Sequence, residues 1–510
     1  MIKKIAFLFV LLLSSCSLFK SNIPQPKREF RGVWIATVVN IDWPKNGADP
    51  WEKQKTDYLN ILNFYQDLNF NAVVVQIRAA GDAFYPSQFA PWSRYLTGKE
   101  GVAPKTEQDP LKWMIREAHS RGFEFHAWLN PYRATFDLKT ERLAESHDYN
   151  QHPEWMFKYG KKYYYDPGIP EVQEHLVKIM NEVVTNYDVD ALHFDDYFYP
   201  YKISNEVIPD SQTFAANAHS GQSLADWRRS NIDSLVSKVQ REIKLTKPWV
   251  QFGISPFGVW KNKATDPMGS DTRAGQTTYE DLYADPLLWM KEEWIDYLAP
   301  QVYWSMDLEV ASYKKIVDWW ANDSIRSNIY IGNAAYKIRN NADEAWNDKK
   351  ELPNQLLFAR NKERIQGNVF FSAKSILNDH QDVVKYIKKK YYKFPALPPE
   401  FPYKLGAAKN AVHITNFTRE KNFYRFNFTS TGTYQYALVY KAKKTSDQNS
   451  IHPRKLIDKI YLDSRNSFTL GRWLLHKKKD LAITFLDHYG IETDPIVLNL
   501  NEINQYDTKE

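Results

Sequence analysis

Apolar and polar positions between residues 31 and 391 alternate between two periods. Short β-rich runs begin at Arg31 (RGVWIATV), Ala72 (AVVVQIR), Glu124 (EFHAWLN), Ala191 (ALHFDD), Gln251 (QFGISPF), Tyr297 (YLAPQVYW), Ile329 (IYIGNAAY) and Val369 (VFFSAK), and these predict eight strands. Between and after them, residues 51–68, 110–121, 170–187, 224–245, 279–293, 310–320, 352–365 and 379–391 carry helical spacing. Eight strand–helix units make a closed (β/α)₈ TIM barrel over residues 29–393 the economical solution, because closure removes both sheet edges. An open doubly wound sheet is the alternative α/β arrangement. No glycine-rich phosphate turn follows the first strand, so a dinucleotide-binding fold has no support.

The helical pattern stops at FPALPPEFP, and residues 394–404 read as a proline-rich linker. From Val412 onward seven short alternating segments predict an all-β antiparallel sandwich of the immunoglobulin or fibronectin III type over residues 405–510. No chemistry is visible in it.

At the other end Lys3 and Lys4 precede an apolar run over residues 5–13, too short to span a bilayer but suited to a secretory signal. It closes in Leu13-Ser14-Ser15-Cys16, which resembles a bacterial lipobox, and Cys16 is the single cysteine of the chain. Residues 1–16 are therefore expected to be a lipoprotein signal, with Cys16 lipidated and residues 17–28 serving as a polar tether. A lone cysteine permits no intramolecular disulfide. The expected location is the cell envelope, held to a membrane by acyl chains; Ser17 in place of Asp points to outer-membrane sorting, on its periplasmic or surface face.

A chain of 510 residues calls for two domains, and 43% hydrophobic with 25% charged residues is globular composition. The 17 Trp, 32 Tyr and 28 Phe exceed ordinary packing needs and offer flat rings of the kind that sugar faces stack on. The formal charge of +6 is spread without a basic stripe, which sets nucleic acid aside. The short run 477–479 reads as a solvated hairpin turn. The expected partners are a glycan and a membrane.

Strand parity carries the candidate chemistry. Alternate side chains of a barrel strand point inward, and those at its C-terminal end open into the cleft. Gln76 and Arg78 share one face; so do His126, Trp128 and Asn130, and His193 with Asp195; Ser255 ends the fifth strand, and Gln301 and Tyr303 end the sixth. Each such group left unsatisfied would cost roughly 1–3 kcal/mol, so a polar ligand is the simpler explanation for the set. His126 and His193 singly have the alternative of bridging neighbouring strands. In HFDDYFYP, Asp195 and Asp196 fit a glycosidase pair, one protonating the leaving oxygen and one stabilising an oxocarbenium-like centre, with mutual repulsion raising one pKa. The alternative role for one of them is a loop cap or an arginine partner. Asp271 and Asp307 are the other carboxylates within reach, while Asp166 shapes the turn before Pro170. Neither histidines nor carboxylates show metal-ligand spacing, so no metal and no cofactor are expected.

The blocks RGVWIATVVNIDWP, VVVQIRAAGDAFYPS, HAWLNPYR, YYYDPGIPEV, LHFDDYFYP, GISPFGVW, GSDTRAGQTTYEDLYAD and APQVYWS, in this order, resemble the glycosyl-hydrolase-like ten family of bacterial lipoproteins over residues 29–391. The resemblance implies a glycosidase-type barrel acting on peptidoglycan strands stripped of their peptides. It puts the acidic motif on Asp195 and Asp196, and Gln76, Arg78, His126, Asn130, Arg133, Asp271, Gln301 and Tyr303 in its other mouth blocks; with Trp128, His193 and Trp304 these make up the expected substrate-binding set. For such a substrate, Arg78 or Arg133 would pair with the lactyl carboxylate of a muramyl sugar. A 2-acetamido sugar would also permit substrate assistance, with Asp195 orienting the acetamido group and Asp196 as acid. Two further readings stand beside it: a hydrolase of an extracellular polysaccharide such as α-glucan, and a non-catalytic glycan-binding lipoprotein.

Overall fold

The computed structural model describes residues 23–322, 326–377, 379–403, 412–442, 451–475 and 480–499. The signal segment, Cys16, residues 17–22 of the tether and the run 477–479 lie outside the described residues. Eight parallel strands close on themselves in chain order: β1 Phe30–Ile35, β2 Ala72–Arg78, β3 Glu124–Leu129, β4 Ala191–Phe194, β5 Gln251–Ile254, β6 Tyr297–Leu298, β7 Asn328–Asn333 and β8 Ile365–Phe370. β8 returns to β1 through the register Phe30 with Gly367 and Val33 with Phe370. This is the (β/α)₈ barrel that the period pattern predicts.

Helices Trp51–Asp67, Pro110–His119, Pro170–Asn186, Leu224–Thr246, Pro286–Lys291, Tyr313–Ala321, Glu351–Arg360 and Gln381–Lys390 surround it. Their starts are written locally. Asp109 accepts from the Lys112 N–H at 3.1 Å ahead of Pro110, which fills the first helical position where no N–H is needed. The run expected as one helix over residues 279–293 is instead a turn at Thr278–Asp281 and a helix starting at Pro286, because proline cannot continue a helix begun before it. The last strand also starts at Ile365, four residues before its expected start, so the preceding helix ends at Arg360.

Two apolar layers result. Outward residues such as Val73, Val75, Ile77, Leu192 and Phe194 meet the helices, while Phe30, Trp34, Val74, Trp128, Tyr297 and Tyr330 fill the barrel interior. Large and small residues alternate there: a Cβ on Gly253 would overlap the ring of Tyr297.

The C-terminal strands Val412–Arg419, Phe423–Ser430, Tyr436–Lys441, Leu456–Tyr461, Ser467–Gly471, Asp480–Leu486 and Ile496–Asn499 form antiparallel sheets of three and four strands. The fourth strand pairs with the third, unlike the immunoglobulin constant type, in which the fourth joins the first sheet. This sandwich seats on the barrel floor, the N-terminal ends of the strands. Tyr436 donates its hydroxyl to the Phe123 carbonyl at 3.1 Å, Gln435 donates to Asp190 Oδ1 at 2.8 Å, and Lys459 donates to the Gly122 carbonyl at 2.8 Å. The proline-rich segment is strapped across the same floor, its carbonyls at Phe394, Ala396, Pro398 and Glu400 accepting from Arg31, Asn71, Arg28 and Asn328.

Candidate active site

At the opposite, C-terminal face a cavity of about 200 Å³ opens among Trp34, Trp128, Tyr197, Tyr303, Tyr336 and Phe371, with Gln76, Arg133, Asp195, Ser255 and Gln301 as its polar lining. β4 ends at Phe194, and Asp195, next in line and of inward parity, faces this space. Its Oδ1 accepts from the Gln301 amide at 3.0 Å and from the backbone N–H of Asp196 at 2.9 Å. The same Gln301 amide donates to the Ser255 carbonyl at 2.8 Å, so its orientation is set from both sides. Asp196 does not line the cavity; it is buried beneath Tyr201, whose hydroxyl donates to Asp196 Oδ2.

Burial raises both carboxyls, and for Asp196 the neighbouring Asp195 charge raises it further, well above the ordinary carboxylate range. Asp195 is raised less, because the Asp196 N–H, the Arg133 charge and the Gln301 amide favour its ionised form. The pair is thus held apart in protonation, Asp196 neutral and Asp195 the one that ionises first.

Arg133 is buried with its guanidinium 4.0 Å above the Tyr197 ring, and its Nε has no partner. Gln76 is equally buried; its carbonyl oxygen accepts from Thr37 N at 3.2 Å and Val38 N at 2.9 Å, which leaves its amide Nε2 without a partner. Two buried donors in one cavity call for an acceptor-rich ligand.

Below the cavity runs a chain of buried polar groups. Trp34 Nε1–H can only donate, so His193 Nε2, 3.2 Å away, must accept. His193 Nδ1–H then donates to the Tyr297 hydroxyl (2.9 Å), Tyr297 donates to His126 Nδ1 (2.8 Å), and His126 Nε2–H donates to Glu124 (3.1 Å). Burial holds His193 well below its ordinary pKa, with His126 adding to the effect, as a neutral acceptor requires. His126 and His193 therefore bridge strands beneath the cavity, and His193 sets the indole of Trp34.

The other expected mouth residues divide. Trp128 and Tyr303 line the cavity, and Asn130 stands behind Trp128, accepting from its indole at 3.0 Å and donating to the Ala79 carbonyl at 3.1 Å. Arg78 is fully buried away from the cavity, donating to the Tyr165 hydroxyl at 3.2 Å, and Tyr165 in turn donates to Asp148 at 2.6 Å. Trp304 packs edge-on against Phe257 at 5.4 Å and does not reach the cavity. Asp271 is exposed and paired with Lys315 at 2.5 Å; Asp307 is exposed and paired with Lys314 at 2.7 Å. Neither lines the cavity, and among the described residues that do, Asp195 is the single carboxylate. Among the described residues no three His, Cys, Asp or Glu side chains converge as a metal ion would need.

Trp34, Tyr197, Tyr201, Tyr336 and Phe371 were not singled out from sequence. Trp34 had a usable signal, inward parity near the C-terminal end of the first strand. Tyr336 and Phe371 fall within the predicted seventh and eighth strands at the inward parity of Tyr330 and Val369, a signal equally usable; Tyr197 and Tyr201 come from the loop after the fourth strand, where parity says nothing.

A closed barrel whose mouth sets a cavity-facing carboxylate beside a buried, proton-holding one, under walls of aromatic rings, defines a glycosidase-type enzyme. The model of the family described as Glycosyl hydrolase-like 10 matches residues 29–348, and the chain belongs to that family. The chain is similar to "Glycosyl hydrolase YngK" of Bacillus subtilis (strain 168), 45% identical over 404 residues, which are 78% of each chain. It is also similar to "Glycosyl hydrolase DigH" of Escherichia coli (strain K12), 40% identical over 332 residues, 62% of this chain and 75% of the relative. Among solved structures, the PgaB (BpsB) glycoside hydrolase domain from Bordetella bronchiseptica aligns with a TM-score of 0.46 at 13% identity, covering 71% of this chain and 98% of that one. The protein is a glycoside hydrolase.

Proposed function

We propose that the enzyme cleaves bacterial cell-wall glycan, namely peptidoglycan strands without peptides, from a lipid anchor at Cys16. The observation that carries the reading is the pairing of the carboxylates with unpartnered buried donors at Gln76 and Arg133. A muramyl sugar brings a lactyl carboxylate and an acetamido carbonyl, two acceptors for those donors, and a planar guanidinium suits the carboxylate. Arg78, spent on Tyr165, is no longer a candidate for that contact. A neutral α-glucan would offer Arg133 no counter-charge, which is why the polysaccharide alternative ranks second.

In this reading Asp196, turning out from beneath Tyr201 as substrate binds, supplies the proton to the leaving oxygen, and ionised Asp195 stabilises the positive charge that grows at the anomeric carbon or orients the acetamido group that attacks it. The aromatic walls exclude water from that charge. The anchor and the outer-membrane location rest on the sequence around Cys16 alone. The test is product chromatography after incubation with peptide-free murein strands and with a panel of neutral glucans. Release from the strands alone supports the reading, and release from glucans alone overturns it.

A further inference from the structure

Away from the mouth, a groove of about 670 Å³ runs along the seam between barrel floor and sandwich. Its barrel wall is the start of the helix Pro110–His119 with the loops before β4 and β5; its sandwich wall is the two hairpin turns around residues 430–435 and 462–466. The volume lies inside the range of ligand clefts, roughly 300–1,000 Å³.

Its lining sorts into rings and cations. Trp249 and His488 stand 5.5 Å apart at 36°, and the Trp249 indole N–H has no partner among the described residues. Tyr434 lines the opposing wall. Two of the lining acids are engaged inside the wall: Asp109 accepts from the Tyr187 hydroxyl at 2.8 Å and Asp188 from the Tyr461 hydroxyl at 3.1 Å. Asp463 remains exposed at the rim, against Lys112, Arg116 and Arg465. Lys112 makes no ion pair among the described residues, and Arg116 is 57% exposed with only a loose 3.7 Å approach to Glu117. The rim turn is strained: Asp463 and Ser464, neither a glycine, hold φ of 50° and 57° in succession, a conformation that persists where surrounding structure enforces it.

An unsatisfied indole donor, ring faces and a net positive rim together suit one ligand chemistry. We infer that the seam is a second glycan-binding site, taking a segment of a carboxylate-bearing polysaccharide distinct from the segment held at the mouth. The inference rests on the proposed cell-wall substrate for the identity of that polymer. Because seam and mouth lie at opposite ends of the barrel, the seam grips a neighbouring stretch of the matrix and not the sugars being cut.

The test uses the full-length chain with Asp195→Asn, so that no polymer is consumed, co-sedimented with insoluble peptide-free murein strands and with chitin, which lacks the carboxylates. Lys112→Glu with Arg116→Glu is expected to weaken strand binding about tenfold and to leave chitin binding where it was. In the otherwise native enzyme the same pair is expected to leave kcat/KM on a short soluble fragment unchanged. Strand binding equal to the parent overturns the seam, as does an equal loss on the short fragment, which would trace the effect to the mouth. Failure of the substrate reading is scored separately, by whether the native enzyme cuts the strands at all.

Discussion

The carboxylate of Asp195 accepts the backbone N–H of Asp196 at 2.9 Å, so two consecutive acids face one another electrostatically while only the first faces the cavity. Asp196 acts protonated and Asp195 acts ionised, which gives a bell-shaped rate profile: the acid limb follows Asp195 gaining a proton, the alkaline limb follows Asp196 losing one. Asp195→Asn and Asp196→Asn should each lower kcat about 100-fold or more. Since the Asp195 charge raises Asp196, residual activity in Asp195→Asn should show its alkaline limb at lower pH. Rates measured across pH on peptide-free strands check this, and an unmoved limb would remove the coupling.

Tyr201 lowers the Asp196 carboxyl by donating to it. Tyr201→Phe should therefore carry the alkaline limb to higher pH and, by making Asp196 a weaker acid, reduce kcat about tenfold. A pH series on this variant, with KM recorded beside kcat, separates the effect from lost substrate contact.

Tyr297 is the one hydroxyl joining His126 to His193. Tyr297→Phe keeps the ring that fills the space above Gly253 but leaves a buried acceptor on one histidine and a buried donor on the other. The expected loss is about 2–4 kcal/mol of folding stability, read by denaturant titration, with KM rising because His193, the acceptor of the Trp34 indole, loses the bond that orients its ring. Unchanged stability would mean that the Tyr297 hydroxyl does not link a donor on His193 to an acceptor on His126.

At the floor, His119 is fully buried 2.8 Å from Asp190, which also accepts from Gln435 of the sandwich and from the Phe125 N–H. Burial opposes both charges, yet each partner outweighs it: His119 is raised from 6.5 and Asp190 is lowered from 3.8. The His119 contribution is complete below 6.5 and fades as pH rises through its raised folded value. The Asp190 contribution is complete above 3.8 and fades as pH falls through its lowered folded value. Asp190→Asn should thus cost about 3–5 kcal/mol, with the difference in Tm greatest between these two ordinary values and shrinking on either side.

Much of this was legible in the chain because a barrel strand obeys a period of two. Gln76, Trp128, Asp195, Gln301 and Tyr303 were found by inward parity, and all five line the cavity. Parity gives the face but not the depth. His126 precedes Trp128 by two residues and lies a layer lower, bonded to Glu124 rather than exposed to a ligand. Arg78 shares the face yet turns to Tyr165, on the second strand, Lys162–Tyr165, of a hairpin whose docking no local pattern encodes. Asp271 looked accessible in a long loop and is, but on the outer surface with Lys315. The fold of Tyr201 back onto Asp196 is a tertiary event with no periodic trace.

The chain enters the molecule at its floor: Gln25 donates to the Lys390 carbonyl at 2.9 Å, Lys27 pairs with Glu492 of the sandwich, and Arg28 bridges to Leu397. Whatever grips the polypeptide upstream of Ile23 consequently grips it from the end opposite the cutting mouth. For the proposed anchor at Cys16, seven steps upstream and within an extended reach of about 25 Å, this arrangement would stand the enzyme on its plane of attachment like a lamp on its base, with the mouth opening away from that plane.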